Sequence, residues 1–220
     1  MQINRMISIG LEYSISKNCV TVCSIGSCED VDIVIPEFIE GKTVVAIADN
    51  AFTRNSDIKS VTLPQSLSFI GKSAFAWCRN LERVDAPCVI EICDKAFMGC
   101  DSLTDIGLSS KLRCIGDKTF AFCPSLTSAS MPNGIIRMGA SVFEGCRNLK
   151  TVSLPQNLKI IANSTFYACT ALERVIMPQA LAYVDELAFA YCIALEYPVI
   201  PEKTVINRDA FFECGSRKIS

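Results

Sequence analysis

The residues best suited to chemistry in this 220-residue sequence are its 13 cysteines, and no histidine accompanies them. Without histidine there is no Ser-His-Asp or Cys-His nucleophile and no histidine-containing metal site. Thiolates alone still bind zinc, and Cys19, Cys23 and Cys28 are the best-placed candidates, although zinc usually takes more closely spaced pairs. Cys88 and Cys93 form a weaker second candidate. A structural metal or redox role for the N-terminal cysteines is therefore kept as an alternative.

Seven other cysteines recur at a fixed interval, which favours a structural role. Free cysteine is among the residue types most often buried, so we interpret this column as small apolar side chains of the core. Disulfides between neighbouring members stay open as an alternative, although identical side chains in a ladder point in parallel rather than toward each other. Redox catalysis is disfavoured because no Cys-x-x-Cys pair occurs. The seven are Cys78, Cys100, Cys123, Cys146, Cys169, Cys192 and Cys214.

Composition and charge exclude several classes of protein. Half of the residues are hydrophobic and 20% are charged, so the chain can bury enough apolar surface to fold. The net charge of -2 and the pI near 5.3 argue against a nucleic-acid partner, which requires an excess of Lys and Arg. No stretch has the length and apolarity of a signal peptide or a membrane span, so we expect no membrane insertion. Together with the odd number of cysteines, this favours a reducing, cytoplasmic location.

The strongest pattern in the sequence is an internal repeat of 22 or 23 residues. An apolar residue stands five positions before each repeating phenylalanine, and a leucine or isoleucine commonly stands six positions after it. A unit this short cannot enclose a core alone, so neighbouring units must stack as a solenoid. The repeating phenylalanines, which we expect to stack as the spine of the core, are Phe52, Phe75, Phe97, Phe120, Phe143, Phe166, Phe189 and Phe211.

Each unit divides into a short strand and a turn. Residues 149–155 alternate apolar and polar side chains, which predicts a strand with Val152 and Leu154 pointing inward. Residues 117–123 predict a helical turn whose phenylalanine and cysteine share one face, with Asp117 as its N-cap. Because helical turns are wider than strands, we expect the stack to curve with its parallel sheet on the concave side.

A fuller pattern, I-G-x-x-A-F-x-x-C-x-x-L-x-x-V-x-L-P, is nearly complete from Ile70 onward, with residues 70–84 reading IGKSAFAWCRNLERV. It resembles the BspA-type leucine-rich repeats of bacterial and protozoan surface proteins, over about residues 31–214. The resemblance implies an α/β repeat solenoid, a right-handed leucine-rich-repeat superhelix with a concave parallel β-sheet and short helical turns on the convex side. It also implies an adhesin-like protein, at the cell surface or secreted, that binds host or matrix proteins.

The two ends of the chain depart from the repeat. Residues 7–25 carry two β-rich runs around a turn-forming Ser-Lys-Asn segment, which predicts a hairpin. We therefore divide the chain into an N-terminal β-hairpin cap, residues 1–30, and a solenoid of about eight coils, residues 31–220. The last coil is incomplete in this division. An uncapped coil exposes its core, which makes self-association through the C-terminal coil a candidate interaction.

Outward-facing strand positions, eight and ten residues after each phenylalanine, form the predicted binding surface. In the C-terminal coils they combine a cation, an aromatic ring and two β-branched side chains, which is typical of interface hot spots. The predicted partner-binding residues there are Arg174, Ile176, Tyr197 and Val199. Those in the middle coils are Arg83, Asp85, Ser130, Thr151 and Ser153. Since no catalytic or cofactor-binding motif is present, we predict a non-enzymatic module that binds a protein partner through its concave sheet.

Overall fold

The computed structural model describes residues 7–196 and 198–215, which form a β-solenoid of about eight stacked coils. A typical coil contributes one main strand of three or four residues, one two-residue strand and a broad turn. In chain order the strands are β1 (Glu12–Ser16), β2 (Cys19–Ser24), β3 (Asp32–Val34), β4 (Phe38–Ile39), β5 (Lys42–Ile47), β6 (Ser60–Thr62), β7 (Phe69–Ile70), β8 (Arg83–Ala86), β9 (Glu91–Ile92), β10 (Asp105–Leu108), β11 (Cys114–Ile115), β12 (Ser128–Ser130), β13 (Arg137–Met138), β14 (Thr151–Ser153), β15 (Ile160–Ile161), β16 (Arg174–Ile176), β17 (Tyr183–Val184) and β18 (Val205–Ile206).

The main strands pair in parallel with their counterparts in neighbouring coils. One sheet runs in the order β10-β8-β6-β3 and a second in the order β12-β14-β16. Equivalent residues face each other, so Val152 is opposite Val175. Val152 and Leu154 are buried while Thr151 is exposed, as their alternation in the sequence predicts.

The two-residue strands form a second set of ladders along the side of the solenoid, which we call the flank. Strands β2, β5, β7, β9, β11 and β13 follow one another in one sheet, and β15, β17 and β18 form another. The second residue of each two-residue strand from β7 through β17 is buried, and Ile70, Ile92 and Ile115 illustrate the inward column. The apolar residue five positions before each phenylalanine therefore belongs to a strand, which the sequence pattern does not indicate.

The predicted helical turns are wrong, because the residues that the structure describes contain no helix. In the coil of Phe120, Lys118 and Phe122 have left-handed φ values of 56° and 59°, which a right-handed helix cannot include. Their N–H groups and that of Phe120 donate to the next coil, to the carbonyls of Ala140, Glu144 and Val142 at 2.7 to 2.9 Å. Equivalent left-handed pairs recur in the neighbouring coils.

Without helices, two further expectations lose their basis. The width of a helix gives no reason for the main sheets to lie on a concave side, so curvature and handedness stay predictions.

No helix in the described part of the chain is long and apolar enough to cross a membrane.

The predicted helix N-cap Asp117 and its counterpart in the preceding coil, Asp94, serve instead as links between coils. The Asp117 carboxylate Oδ1 accepts the backbone N–H of Ala140 in the next coil at 2.8 Å, and Asp94 accepts that of Asp117 at 2.9 Å. A side chain at Gly116 or Gly139 would collide with the aspartate of the preceding coil. Glycine at these positions therefore permits the close approach on which the link depends.

The phenylalanine spine is confirmed. Successive rings from Phe52 to Phe211 stack with centroids 4.9 to 5.7 Å apart and with interplanar angles of at most 18°. The seven rings from Phe52 to Phe189 are at most 2% exposed. Offset stacking of this kind adds to the burial of apolar area in holding consecutive coils together.

Each end of the stack has its own structure. Strands β1 and β2 form an antiparallel hairpin around Lys17, whose φ is 55°, and β2 then pairs in parallel with β5. At the other end, Pro198 takes the position that inward valines hold in earlier main strands, and among the described residues no strand follows β16 in its sheet. Proline lacks the N–H that a ladder needs, which accounts for this ending. The boundaries at residues 30 and 31 stay a prediction.

Candidate functional site

The exposed side of the main strands, which we call the main face, holds the predicted residues of the middle coils. Strict alternation places Arg83 and Asp85 outward on β8, and places Ser130, Thr151 and Ser153 outward on β12 and β14. Ser130 is opposite Ser153 in the ladder, so these two side chains are neighbours on one surface. The structure therefore brings the serines and the threonine together.

The main face is divided in two. No backbone pairing joins β10 to β12 within the described chain, so Arg83 and Asp85 lie in one sheet and Thr151 in the other. Gly107 and Ala129, which supply little side-chain packing, lie on the two sides of this break. The expectation of one continuous platform is corrected to two adjoining sheets.

The C-terminal coils carry a groove on the main face, with a cavity volume of about 540 Å³. Ile176 on β16 is 54% exposed and Val199 is 92% exposed, and both line the groove with Arg174. Three of the four predicted C-terminal residues thus meet at one depression. Tyr197, the fourth, lies outside the described residues.

The groove has an apolar floor and a charged rim. Its apolar lining includes Met177 and Pro178, next to Ile176 and Val199. Glu173, Arg174 and Glu196 supply the charges, and the Glu196 N–H donates to the Glu173 carbonyl at 3.0 Å, which joins the two coils. Such an arrangement suits contact with apolar side chains of a polypeptide, with the rim charges setting orientation. Pro198 at an inward strand position is a visible signal that the ladder ends, but the depression that it leaves depends on the neighbouring coil and was not predicted.

Six of the seven cysteines in the column are buried as predicted, whereas Cys214 is partly buried and its thiol donates to the Cys192 carbonyl at 3.3 Å. Each of the six fully buried thiols donates to the carbonyl of the phenylalanine in the preceding coil, as Cys146 does to Phe120 at 3.0 Å. Burial raises the pKa of the Cys78 and Cys146 thiols to about 12. The buried thiols are Cys78, Cys100, Cys123, Cys146, Cys169 and Cys192.

The other cysteines do not assemble into a metal centre. Cys19 is exposed, the Cys23 thiol donates to Ser14 and to the Thr21 carbonyl, and the Cys28 thiol contacts Asp30. Across residues 7–196 and 198–215, no three His, Cys, Asp or Glu side chains lie close enough to share a metal ion.

Cys88 and Cys93, the second candidate pair, have different surroundings. The Lys111 ammonium group donates to the Cys88 sulfur at 3.3 Å. Burial, aided by the negative charges of Glu91, Asp49 and Asp94, raises the pKa of the Cys93 thiol to about 11. All 13 cysteines are free thiols, so the disulfides left open by the sequence do not form here.

Comparisons with known proteins agree with this geometry. The family described as BspA type Leucine rich repeat region matches in six copies, over residues 14–93 and 90–218. The chain is similar to the leucine-rich repeat protein TpLRR of T. pallidum, with 29% identity, a TM-score of 0.81, and coverage of 85% of this chain and 88% of that chain. A leucine-rich repeat protein from Bacteroides ovatus is similar in fold, with 23% identity, a TM-score of 0.69, and coverage of 96% and 69% respectively. No curated protein matches the chain.

Proposed function

We propose that this chain, which belongs to the BspA-type leucine-rich repeat family, is a non-enzymatic module that binds a protein partner through its main face. Repeat solenoids of this kind generally serve as interaction scaffolds, because stacked coils present an extended and rigid surface. The observation that carries the proposal is the C-terminal groove, where Ile176 and Val199 are exposed beside Arg174.

The groove has the composition of an interface centre. An apolar floor with a polar rim is the usual arrangement at protein interfaces, where a few desolvated side chains supply most of the affinity. The outward polar side chains of the middle coils extend this surface away from the groove, with Ser130, Thr151 and Ser153 in the same sheet and Arg83 and Asp85 in the adjoining one. Since the coils are held by stacked rings and backbone hydrogen bonds, binding needs little rearrangement of the solenoid.

A charge substitution in the groove tests this function. The wild-type chain is immobilised and used to capture a partner from an extract of the source organism. The purified partner is then titrated against the wild-type chain and its variants. We expect Ile176→Glu with Val199→Glu to weaken binding at least about tenfold, because both floor positions become charged. The matched control, Ile9→Glu with Ile193→Glu, changes two exposed isoleucines outside the groove and should leave the Kd within about twofold. Equal affinity of the groove variant and the wild type would reject the main-face site.

A surface adhesin that binds host or matrix proteins is the alternative that family resemblance supports. The same groove would then face an extracellular protein. Titration of the wild-type chain and the groove variant against immobilised matrix proteins separates the two cases, because an adhesin predicts saturable binding that the variant loses.

The last described coil supports a further proposal, self-association with a second copy of the chain. Val205 on β18 is 61% exposed and Phe212 is 46% exposed, and β18 ends its sheet among the described residues. Such apolar surface at an open edge favours pairing with another chain. We expect a concentration-dependent mass in sedimentation equilibrium that Val205→Lys abolishes, and a constant monomer mass for the wild type would exclude this interaction.

A further inference from the structure

A second surface, distinct from the main face, lies on the flank and alternates cations with exposed isoleucines. Three isoleucines that would ordinarily be buried are 45%, 74% and 50% exposed there, at Ile90, Ile136 and Ile160. Three cations are exposed beside them. We define the flank patch as Ile90, Arg113, Ile136, Arg137, Lys159 and Ile160.

The alternation follows from the repeat. Seven positions before the phenylalanine, four successive coils carry Ile90, Arg113, Ile136 and Lys159, so apolar and cationic side chains take turns along the solenoid. Adjacent rungs of such a ladder are about 4.8 Å apart. Backbone hydrogen bonds fix the first three rungs, because Arg113 N–H donates to the Ile90 carbonyl at 2.8 Å and Ile136 N–H donates to the Arg113 carbonyl at 2.9 Å.

The coils of Ile136 and Lys159 stay adjacent although their two-residue strands are not paired. On the same side of the solenoid, the backbone N–H of Gln156 donates to the Asn133 side-chain oxygen at 3.1 Å. Arg113 is itself held in place, because its guanidinium donates to the carbonyls of Ser110 and Leu112 at 3.2 and 3.1 Å. The patch is therefore a preformed arrangement, which lowers the entropy cost of binding.

The charge of the patch is opposite to that of the chain. The whole chain has a net charge of -2, whereas the patch holds three cations, with Glu91 as the acid on the same rungs. Asp94 and Asp117 lie beside the patch, but each uses one carboxylate oxygen to accept a backbone N–H of the next coil. A partner that carries acidic groups between apolar ones matches this surface in both charge and apolarity.

We propose that the flank patch binds an acidic amphipathic helix of a partner protein, lying along the stack. In an α-helix, residues three or four apart lie on one face about 5.4 Å apart, close to the rung spacing of about 4.8 Å. Apolar and acidic residues on alternate turns would then oppose Ile90, Arg113, Ile136 and Lys159 in order, with Arg137 and Ile160 at their sides. This site lies apart from the main face and does not depend on the function proposed for it.

An anionic membrane is the competing occupant, and the alternation argues against it. Lipid headgroups form a fluid surface without a repeat of about 5 Å along one line, so a membrane gains nothing from the alternation of Ile90, Arg113, Ile136 and Lys159. A cluster of cations at the rim of one apolar face would serve a membrane better. The two occupants differ in a direct binding measurement.

The probe is a synthetic helical peptide of about 18 residues that carries Leu and Glu on alternate turns of one face. Fluorescence anisotropy measures its binding to the full chain, and we expect saturable binding below about 100 µM that weakens as salt rises. The flank variant is Arg113→Glu with Arg137→Glu and Lys159→Glu. The matched control, Arg54→Glu with Arg147→Glu and Lys150→Glu, makes the same change in net charge on exposed residues outside the patch.

We expect the flank variant to weaken peptide binding at least about tenfold and the control to change it less than about twofold. The variant Ile136→Ser with Ile160→Ser keeps every charge and should still weaken binding about fivefold or more. Since all five positions are exposed, circular dichroism should show both flank variants folded. Absent peptide binding, equal loss in flank and control variants, or binding only to vesicles of phosphatidylserine and phosphatidylcholine would each overturn the proposal.

Discussion

Each buried thiol in the cysteine column ties its coil to the coil before it. Cys123 donates to the Phe97 carbonyl at 3.2 Å, and Cys146 donates to the Phe120 carbonyl at 3.0 Å. The sequence could show that these residues share one buried face, because the spacing is periodic. It could not show the acceptor, because spacing within one coil does not reveal which carbonyl of the neighbouring coil comes into reach.

The thiol column predicts that the chain loses stability in alkali. Burial raises the pKa of these thiols above their ordinary value of 9.0. The folded chain therefore keeps protons that the unfolded chain releases, and stability falls as pH rises above about 9 until the folded thiols ionise. Six such thiols remove about 8 kcal/mol by pH 10, which is comparable to the whole stability of many domains.

Urea unfolding at pH 7.5 and pH 10, with reductant present, measures this loss. The double variant Cys146→Ala with Cys169→Ala should show about two thirds of the wild-type loss, because four buried thiols remain of the six. A loss that is the same in the variant and the wild type would show that the thiols do not cause it.

The aromatic spine predicts an unequal effect of two nearby phenylalanines. Phe120 is fully buried and stacks between Phe97 and Phe143 at 5.6 and 5.7 Å, whereas Phe122 is 41% exposed. We expect Phe120→Ala to lower the free energy of unfolding by about 3–5 kcal/mol through a cavity in the core. Phe122→Ala, the matched control, should cost about 1 kcal/mol or less. A loss under about 1 kcal/mol for Phe120→Ala would remove Phe120 from the spine.

At the scale of elements, the main strands were predictable and the turns were not. Alternation at residues 149–155 reveals which side chains face inward, so β14 follows from sequence pattern alone. The turns have an i, i+3 pattern that a helix shares, and Phe–x–x–Cys fits both structures. Among the described turns that carry the repeating phenylalanines, Gly99 and Gly145 are the glycines that mark a left-handed position, whereas Lys118 and Phe122 take φ near +60° without being glycine.

The flank strands were missed for a related reason. Two residues are too few to show a period, so Ile160 and Ile161 gave no sign that one is exposed and the other buried. The exposed isoleucines of the flank patch therefore became visible only when the ladder fixed which way each side chain points.

The left-handed positions predict that glycine improves stability where alanine now stands. Ala168 has a φ of 57°, which costs an alanine about 1 kcal/mol relative to glycine. We expect Ala168→Gly to raise the free energy of unfolding by about 0.5–1 kcal/mol in urea titrations. Ala171→Gly is the control. Because Ala171 lies outside the left-handed region, this substitution should lower the free energy of unfolding by a similar amount. If both variants lose stability equally, the turn at Ala168 is not left-handed.

At the scale of the whole molecule, the repeat alone predicts a stack, whereas the surfaces depend on where the repeat is broken. The groove arises where Pro198 ends the main strands, and the main face divides where β10 and β12 fail to pair. The predicted residues Arg174, Ile176 and Val199 do meet at the groove. They could be selected from the sequence because the residue types at outward positions differ in the C-terminal coils. A sequence pattern gives the orientation of each side chain but not the depression that its neighbours leave.

The stacked coils present rigid surfaces only if the backbone hydrogen bonds between them persist in solution. Amide hydrogen exchange by NMR measures this persistence directly. The N–H groups that donate to the next coil from the centre of the spine are those of Phe75, Phe97, Phe120, Phe143 and Phe166. We predict that all five exchange at least about 10⁴-fold more slowly than in an unstructured peptide, with similar rates, because each opens only when neighbouring coils separate. Rates within about tenfold of an unstructured peptide would contradict the stacked solenoid and both surfaces proposed on it.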